Sequence, residues 1–166
     1  LELTSTTTGI SAYLPWGKQE IAVCNSSSIR EQGDYLARIL VKRKLNYPSF
    51  ILEFADTAPN PFRHENGLFF CGYAAFNGID GLGPHASLLP LPFSPINPYD
   101  YASFNDPIFR ASDAVSAFAF QRGDVAESAH SIEFAITPKI LASPNRMDAL
   151  ATEYAALFPL AKVGTR

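Results

Sequence analysis

The sequence is poor in the residues that build metal-binding and redox sites. Its 166 residues include 3 histidines, 2 cysteines, 1 methionine and 1 tryptophan. Cys24 and Cys71 have no Cys or His neighbour at a metal-ligand spacing, so no zinc or other metal site is expected. Two readings of the cysteines stay open, a disulfide formed in an oxidising compartment or two buried free thiols. Charge is also sparse, with 13 Lys+Arg against 16 Asp+Glu, and the basic residues are scattered. A nucleic-acid binder needs a basic stripe, and none is visible. No apolar run approaches the roughly 20 residues of a membrane span. There is no Gly-x-Ser-x-Gly elbow, phosphate loop or dinucleotide fingerprint, and no cofactor is expected.

Apolar and aromatic residues are plentiful, at 47% and 13%, and so are prolines, at 13. This mixture fits an aromatic-rich core, and it also fits long ordered loops around an aromatic-lined cleft. The length allows one domain with a real core. The chain opens on Leu1, and residues 1–8 lack a charged n-region followed by an apolar h-region. Such a start is expected of a mature, processed or excised segment.

Hydrophobic periodicity gives the elements. Residues 9–25 are irregular, and Ile21-Ala22-Val23-Cys24 is either a short strand or a loop anchor. Ser26, Ser27 or Ser28 can cap a helix whose apolar stripe is Tyr35, Leu36, Ile39 and Leu40. Arg38, Lys42, Arg43 and Lys44 place positive charge at its C-terminus, where the helix dipole favours it. Ser49-Phe50-Ile51-Leu52-Glu53-Phe54-Ala55 is nearly all apolar, which predicts a strand buried on both faces in a parallel sheet. A Pro-rich loop, 56–64, leads to a helix over 65–77 with Leu68, Phe69, Tyr73 and Phe76 as its inner face. Residues 78–83 form a glycine-rich strand and its exit. The loop that follows is about 20 residues long and carries five prolines, a length usually tied to function or disorder. Asp106-Pro107 pairs a capping carboxylate with proline at the first helical position. That helix runs to about Gln121 through Phe109, Ala114, Val115 and Phe118. A strand with one wet face covers 131–136, and a last helix spans 147–158.

Glu53 breaks the pattern of its strand, because a carboxylate closes an otherwise apolar run. A used carboxylate explains it, and so does a salt bridge or a solvent-facing loop position. Asn60, Arg63, His64 and Glu65 follow in the next loop. Arg63 can hold an anionic group through its planar fork, or pair with Glu65 or Asp56. Asp80 and His85 flank the next strand and would face the same end as Glu53. Trp16, Tyr99 and Tyr101 are candidate rings for stacking on sugar, or packing residues. Glycoside hydrolysis needs two carboxylates, about 5–5.5 Å or about 6.5–9.5 Å apart. Only Glu53 is strong here; Asp56, Glu65 and Asp80 are weak seconds.

Five stretches in register resemble large bacterial glycoside hydrolases with a clan A type (β/α)₈ barrel. Residues 47–55 followed by Pro59-Asn60-Pro61-Phe62-Arg63-His64-Glu65 are similar to that family's strand and its "P-N-x-(F/Y)-R-x-E" loop. Tyr73-Ala74-Ala75-Phe76-Asn77-Gly78-Ile79-Asp80-Gly81-Leu82 matches its "AYAALQDWDGI". Asn105-Asp106-Pro107 and Phe120-Gln121-Arg122-Gly123-Asp124-Val125 match "NDP" and "FxRGDV". Asn25-Ser26-Ser27 resembles "NTS".

The resemblance implies an α/β fold, the C-terminal portion of a TIM barrel. Strand seven would lie at 51–54, strand eight at 79–82 and the closing helix at 106–121. Residues 1–128 would be the partial barrel. Residues 129–166 would begin a C-terminal β-domain or an extension packed on the barrel. Glu53 takes the nucleophile position of a retaining β-glycosidase or glycanase. Trp16, Asn60, Arg63, His64, Asp80 and His85 are the expected substrate contacts. The partners implied are an oligo- or polysaccharide and the remainder of the barrel, from this chain or another. No nucleic acid or membrane partner is expected, and the setting would be secreted or periplasmic. Two departures stand out: Phe54-Ala55 replaces Tyr/Trp-Asn, and Phe76-Asn77-Gly78-Ile79 replaces the segment with Gln-Asp-Trp. They fit a changed substrate, or a non-catalytic carbohydrate-binding or structural protein derived from the barrel. The family's acid/base Glu follows strand four, which these residues do not include. A complete barrel takes at least about 200 residues, so this segment alone is not expected to be active.

Overall fold

The computed structural model describes residues 6–8, 10–11, 22–23, 27–30, 34–56, 60–84, 106–142 and 153–166. In chain order the strands and helices are β1 (Thr6–Thr8), β2 (Ile10–Ser11), β3 (Ala22–Val23), α1 (Asp34–Lys42), β4 (Phe50–Asp56), α2 (Cys71–Phe76), β5 (Gly81–Pro84), α3 (Pro107–Ser116), β6 (Ser131–Phe134), α4 (Pro138–Leu141) and β7 (Lys162–Thr165). A π-helical turn, Asn66–Phe70, leads directly into α2, and a second, Ala117–Gln121, continues α3.

The apolar run at 50–56 forms a strand as its composition predicts. It is the middle of a three-stranded parallel sheet, β1-β4-β5. Parallel neighbours need crossover connections. Here α1 lies between β1 and β4 in sequence, and α2 lies between β4 and β5. The helices supply the apolar cover. Leu36, Leu40 and Val41 of α1, Ile51 and Phe54 of β4, and Phe70 and Ala74 around α2 share one core. Phe54 and Phe70 stack with ring centroids 4.2 Å apart. Burial is less complete than the pattern predicts, because Phe50 at the strand's start is 48% exposed.

β6 and β7 pair in parallel as a separate two-stranded sheet. The wet face expected of 131–136 is present, since exposed and half-buried residues alternate along β6. Phe158 and Val163 belong to the same core as α1 and α2. The C-terminal residues described here therefore pack onto the first part of the chain. Of the last predicted helix, residues 147–152 lie outside the described residues, and Ala155–Leu157 is a 3-10 turn.

Two helix faces differ from the sequence expectation. Leu68 was expected inside and is 67% exposed, while Phe70, Cys71 and Ala74 are buried. In the helix expected to run through Phe109, Ala114, Val115 and Phe118, Val115 and Phe118 are exposed, while Ser112 and Ala119 are buried. Leu68 and Phe118 share a cause, since each lies within a π-turn, whereas Val115 precedes its turn. A π-turn closes its hydrogen bond one residue later than an α-turn, so a stripe drawn at 3.6-residue spacing falls out of phase. Gly67 adds to the effect. A Cβ there would lie 2.0 Å from the Ser112 carbonyl oxygen, so only glycine lets the π-turn approach α3 this closely.

The end of α2 is a complete Schellman cap. Gly78 takes φ +71, its N–H donates to the Ala75 carbonyl, and the Ile79 N–H donates to the Ala74 carbonyl. Gly78 thus terminates the helix and does not begin the strand, which starts at Gly81. Asp106 caps α3 as its sequence predicts, accepting from the Ile108 N–H at 3.0 Å, with Pro107 next.

Arg43 is the largest correction. It was expected only to place positive charge at the C-terminus of α1, and it is 8% exposed. Its guanidinium donates to the carbonyls of Val163 (2.9 Å), Gly78 (3.2 Å) and Asn77. Asn77, fully buried, donates to the Tyr73 and Phe158 carbonyls and accepts from the Val163 N–H. Together they join α1, the end of α2 and β7. Burial lowers the Arg43 pKa to about 10, partly offset by Glu127 and Asp80, so the side chain remains charged at neutral pH. Cys71 is a free, buried thiol, and Cys24 lies outside the described residues.

Candidate functional site

Glu53 lies on β4, the central strand. Along the β4–β5 ladder Leu52 faces Gly83 and Phe54 faces Pro84. Two steps on β4 therefore match one step on β5, and Glu53 is the residue left without a partner there. This is the pattern of a β-bulge, a local device that bends a strand and redirects a side chain, over-represented beside active sites. The ladder shifts where β5 reaches Pro84, a residue with no N–H to contribute. On the other edge, β1 pairs with β4 from Phe54 onward, with Thr6 facing Phe54. The bulge is thus a backbone property of Glu53. Its side chain lies outside what the structure describes.

The loop after β4 is built from its own polar groups. Asn60 is fully buried, and its Oδ1 accepts from the Phe62 N–H at 2.9 Å, an Asx-type turn. Arg63 donates from Nε to Asp106 Oδ2 at 2.5 Å and from Nη2 to Asp106 Oδ1 at 3.2 Å. Its Nη1 donates to the Asn60 carbonyl at 3.0 Å. Arg63 is therefore paired with the α3 cap, and Glu65 with Ser27 and Ile29; the Asp56 side chain lies outside what the structure describes. The two side chains are 14% and 3% exposed, so this bidentate pair is largely dry. Glu65 is also buried. It accepts from Ser27 Oγ at 2.8 Å and from the Ile29 N–H at 3.0 Å. His64 is exposed, with Nδ1 3.1 Å from the Pro61 carbonyl oxygen.

Asp80 sits at the opposite end of the sheet from the expected one. Its carboxylate accepts from the Ser49 N–H at 2.8 Å, and its own N–H donates to the Ser49 carbonyl. It clips the entry ends of β4 and β5 together. It also lines a polar hollow of about 360 Å³ with Arg43, Tyr47, Glu127, Glu133 and Lys162. Glu53 lies four steps along the chain from Ser49, about 13 Å. That exceeds both carboxylate spacings used in glycoside hydrolysis. Trp16, His85, Tyr99 and Tyr101 lie outside the described residues.

The structure thus brings Asn60, Arg63 and Asp106 together and leaves Asp80 apart from Glu53. Sequence reasoning saw Asp106 only as a cap. Its signal as an ion-pair partner was present, since the loop's Arg63 and the Asn-Asp-Pro turn are both part of the resemblance. Among the described residues no group of His, Cys, Asp and Glu forms a metal cluster. No described helix is long and apolar enough to cross a membrane. Comparison with family models, curated proteins and solved structures finds no match.

Proposed function

We propose that this chain supplies the nucleophile side of a retaining glycoside hydrolase acting on a polysaccharide, as the C-terminal part of a (β/α)₈ barrel outside the cell or in the periplasm. The observation that carries the reading is Glu53, a carboxylate at the bulge of a central parallel strand. The β1-α1-β4-α2-β5 run of parallel strands and crossover helices supports it too. Glu53 would attack the anomeric carbon while a second carboxylic acid protonates the leaving oxygen. The second group would then deprotonate the water that releases the sugar. Glu65 and Asp80 are engaged with Ser27, Ile29 and Ser49, which speaks against either as the acid/base.

The test is Glu53→Gln in the full-length protein. Turnover of the oligosaccharide substrate should fall by at least about a thousandfold with its binding retained. A wild-type rate would remove Glu53 from the mechanism. One observation favours the second reading, a non-catalytic carbohydrate binder. The polar loop residues Arg63 and Glu65 are turned into the protein and committed there. That reading expects glycan binding without turnover in the wild-type protein, unchanged by Glu53→Gln.

A further inference from the structure

The sequence holds two Asn-Gly pairs, Asn66-Gly67 and Asn77-Gly78. Asparagine before glycine is prone to spontaneous deamidation, because glycine has no Cβ to hinder attack by its own nitrogen. That nitrogen attacks the Asn side-chain carbonyl carbon, and ammonia leaves. Water then opens the succinimide ring to aspartate or isoaspartate. The reaction needs a free Asn side chain and a free glycine N–H, and the fold denies Asn77 both. Asn77 is fully buried. Its Nδ2 donates to the Tyr73 and Phe158 carbonyls, each at 3.0 Å, and its Oδ1 accepts from the Val163 N–H at 3.1 Å. The Gly78 N–H, which would be the nucleophile, donates to the Ala75 carbonyl at 2.9 Å. The Asn77 ψ of −2 turns that nitrogen away from the side chain.

Two of the three side-chain bonds of Asn77 reach the C-terminal segment, at Phe158 and at Val163 of β7. Once that segment leaves, only Tyr73 holds the side chain, at a helix end that can fray. Asn66 is buried too, but its glycine is held from elsewhere: the Gly67 N–H donates to Ser112 Oγ of α3 at 2.6 Å. We propose that Asn77 is a spontaneous modification site gated by β7, and that its deamidation turns a reversible opening of the C-terminal segment into a permanent one. The permanence follows from the hydrogen-bond inventory. A carboxylate at position 77 has no donor for the Tyr73 and Phe158 carbonyls and sets acceptor against acceptor. Isoaspartate also lengthens the backbone beside the Gly78 cap. The gate does not depend on the glycosidase reading, because none of its residues is assigned to that chemistry.

The test is to age the protein in mildly alkaline buffer, native and in urea, and to follow both sites by peptide mapping. In urea Asn66 and Asn77 should deamidate at comparable rates. In the native protein both should be slowed by at least about a hundredfold, since reaction then waits on opening. Thr165→Val removes the Oγ1 hydrogen bond from β7 to the Arg43 carbonyl, 2.9 Å long, and keeps the side-chain shape. It should speed Asn77 about fivefold and leave Asn66 unchanged. Asn77→Asp should still melt cooperatively, with amide exchange at Val163 and Thr165 at least about tenfold faster than in the wild-type protein. Native deamidation of Asn77 at its rate in urea would overturn the proposal. So would equal acceleration of both sites by Thr165→Val, or wild-type exchange at Val163 in Asn77→Asp. Should Asn77→Asp fail to fold, the deamidated fraction of aged wild-type protein, separated by its added negative charge, replaces it. Protection of Val163 in that fraction equal to the unreacted protein would equally overturn the proposal.

Discussion

Arg43 and Arg63 are both held inside the molecule, yet their surroundings differ in kind. Arg43 meets only neutral carbonyls, those of Val163, Gly78 and Asn77. Arg63 meets a carboxylate, Asp106, through two parallel hydrogen bonds. The Arg43 arrangement is long-range in sequence and ties the C-terminal strand to α1. The Arg63 arrangement fixes a loop to the start of α3. Burial lowers the Arg43 pKa to about 10, and the Glu127 and Asp80 carboxylates, which act on it without hydrogen-bonding to it, offset this only in part. The contrast teaches that one basic residue serves as a tie between segments and the other as a clamp on a helix cap.

Substitutions can break this comparison. Arg43→Met should have the largest effect, about 4 kcal/mol by urea unfolding, because it orphans three carbonyls at once. It should also loosen β7, seen as faster amide exchange at Val163 and Thr165. Asp106→Asn keeps a capping oxygen but leaves the Arg63 charge unmatched, and should cost about 2 kcal/mol. A smaller loss from Arg43→Met than from Asp106→Asn would reverse the ranking. Glu65→Gln keeps one acceptor for Ser27 and Ile29 and should cost about 1 kcal/mol. Asp124→Asn removes the exposed partner of Arg122 and should leave the unfolding midpoint unmoved within error. A clear shift there would show that exposed pairs matter in this protein as much as buried ones.

Part of this was legible in the sequence. The strand at 50–56 and the helix opened by Asp106-Pro107 were legible because their signals are local. An apolar run and a Pro at the first helical position need no knowledge of the rest of the chain. The roles of Arg43 and Asn77 were not, since their partners lie 34 to 120 residues away or at the end of another helix. The π-turn at 66–70 hid the true inner face of its helix, so Leu68 was expected inside. The Asn60-Arg63-Glu65 loop was recognised as polar and ordered. Its inward commitment was hidden because the partners Asp106 and Ser27 come from distant segments. For Glu53 the sequence showed a misplaced charge, and only strand pairing revealed the bulge.

Cys71 gives the seam between α2 and α3 a clock. Its thiol is 1% exposed, bonded to Ser116, and burial pushes its pKa to about 11. In the closed protein it is thus both shielded and protonated, and a thiol reagent at pH 8 finds no thiolate to attack. Every alkylation event at Cys71, resolved from Cys24 by peptide mapping, would record one parting of the two helices. The labelling rate would then report how often the interior opens, without any probe being added to the chain.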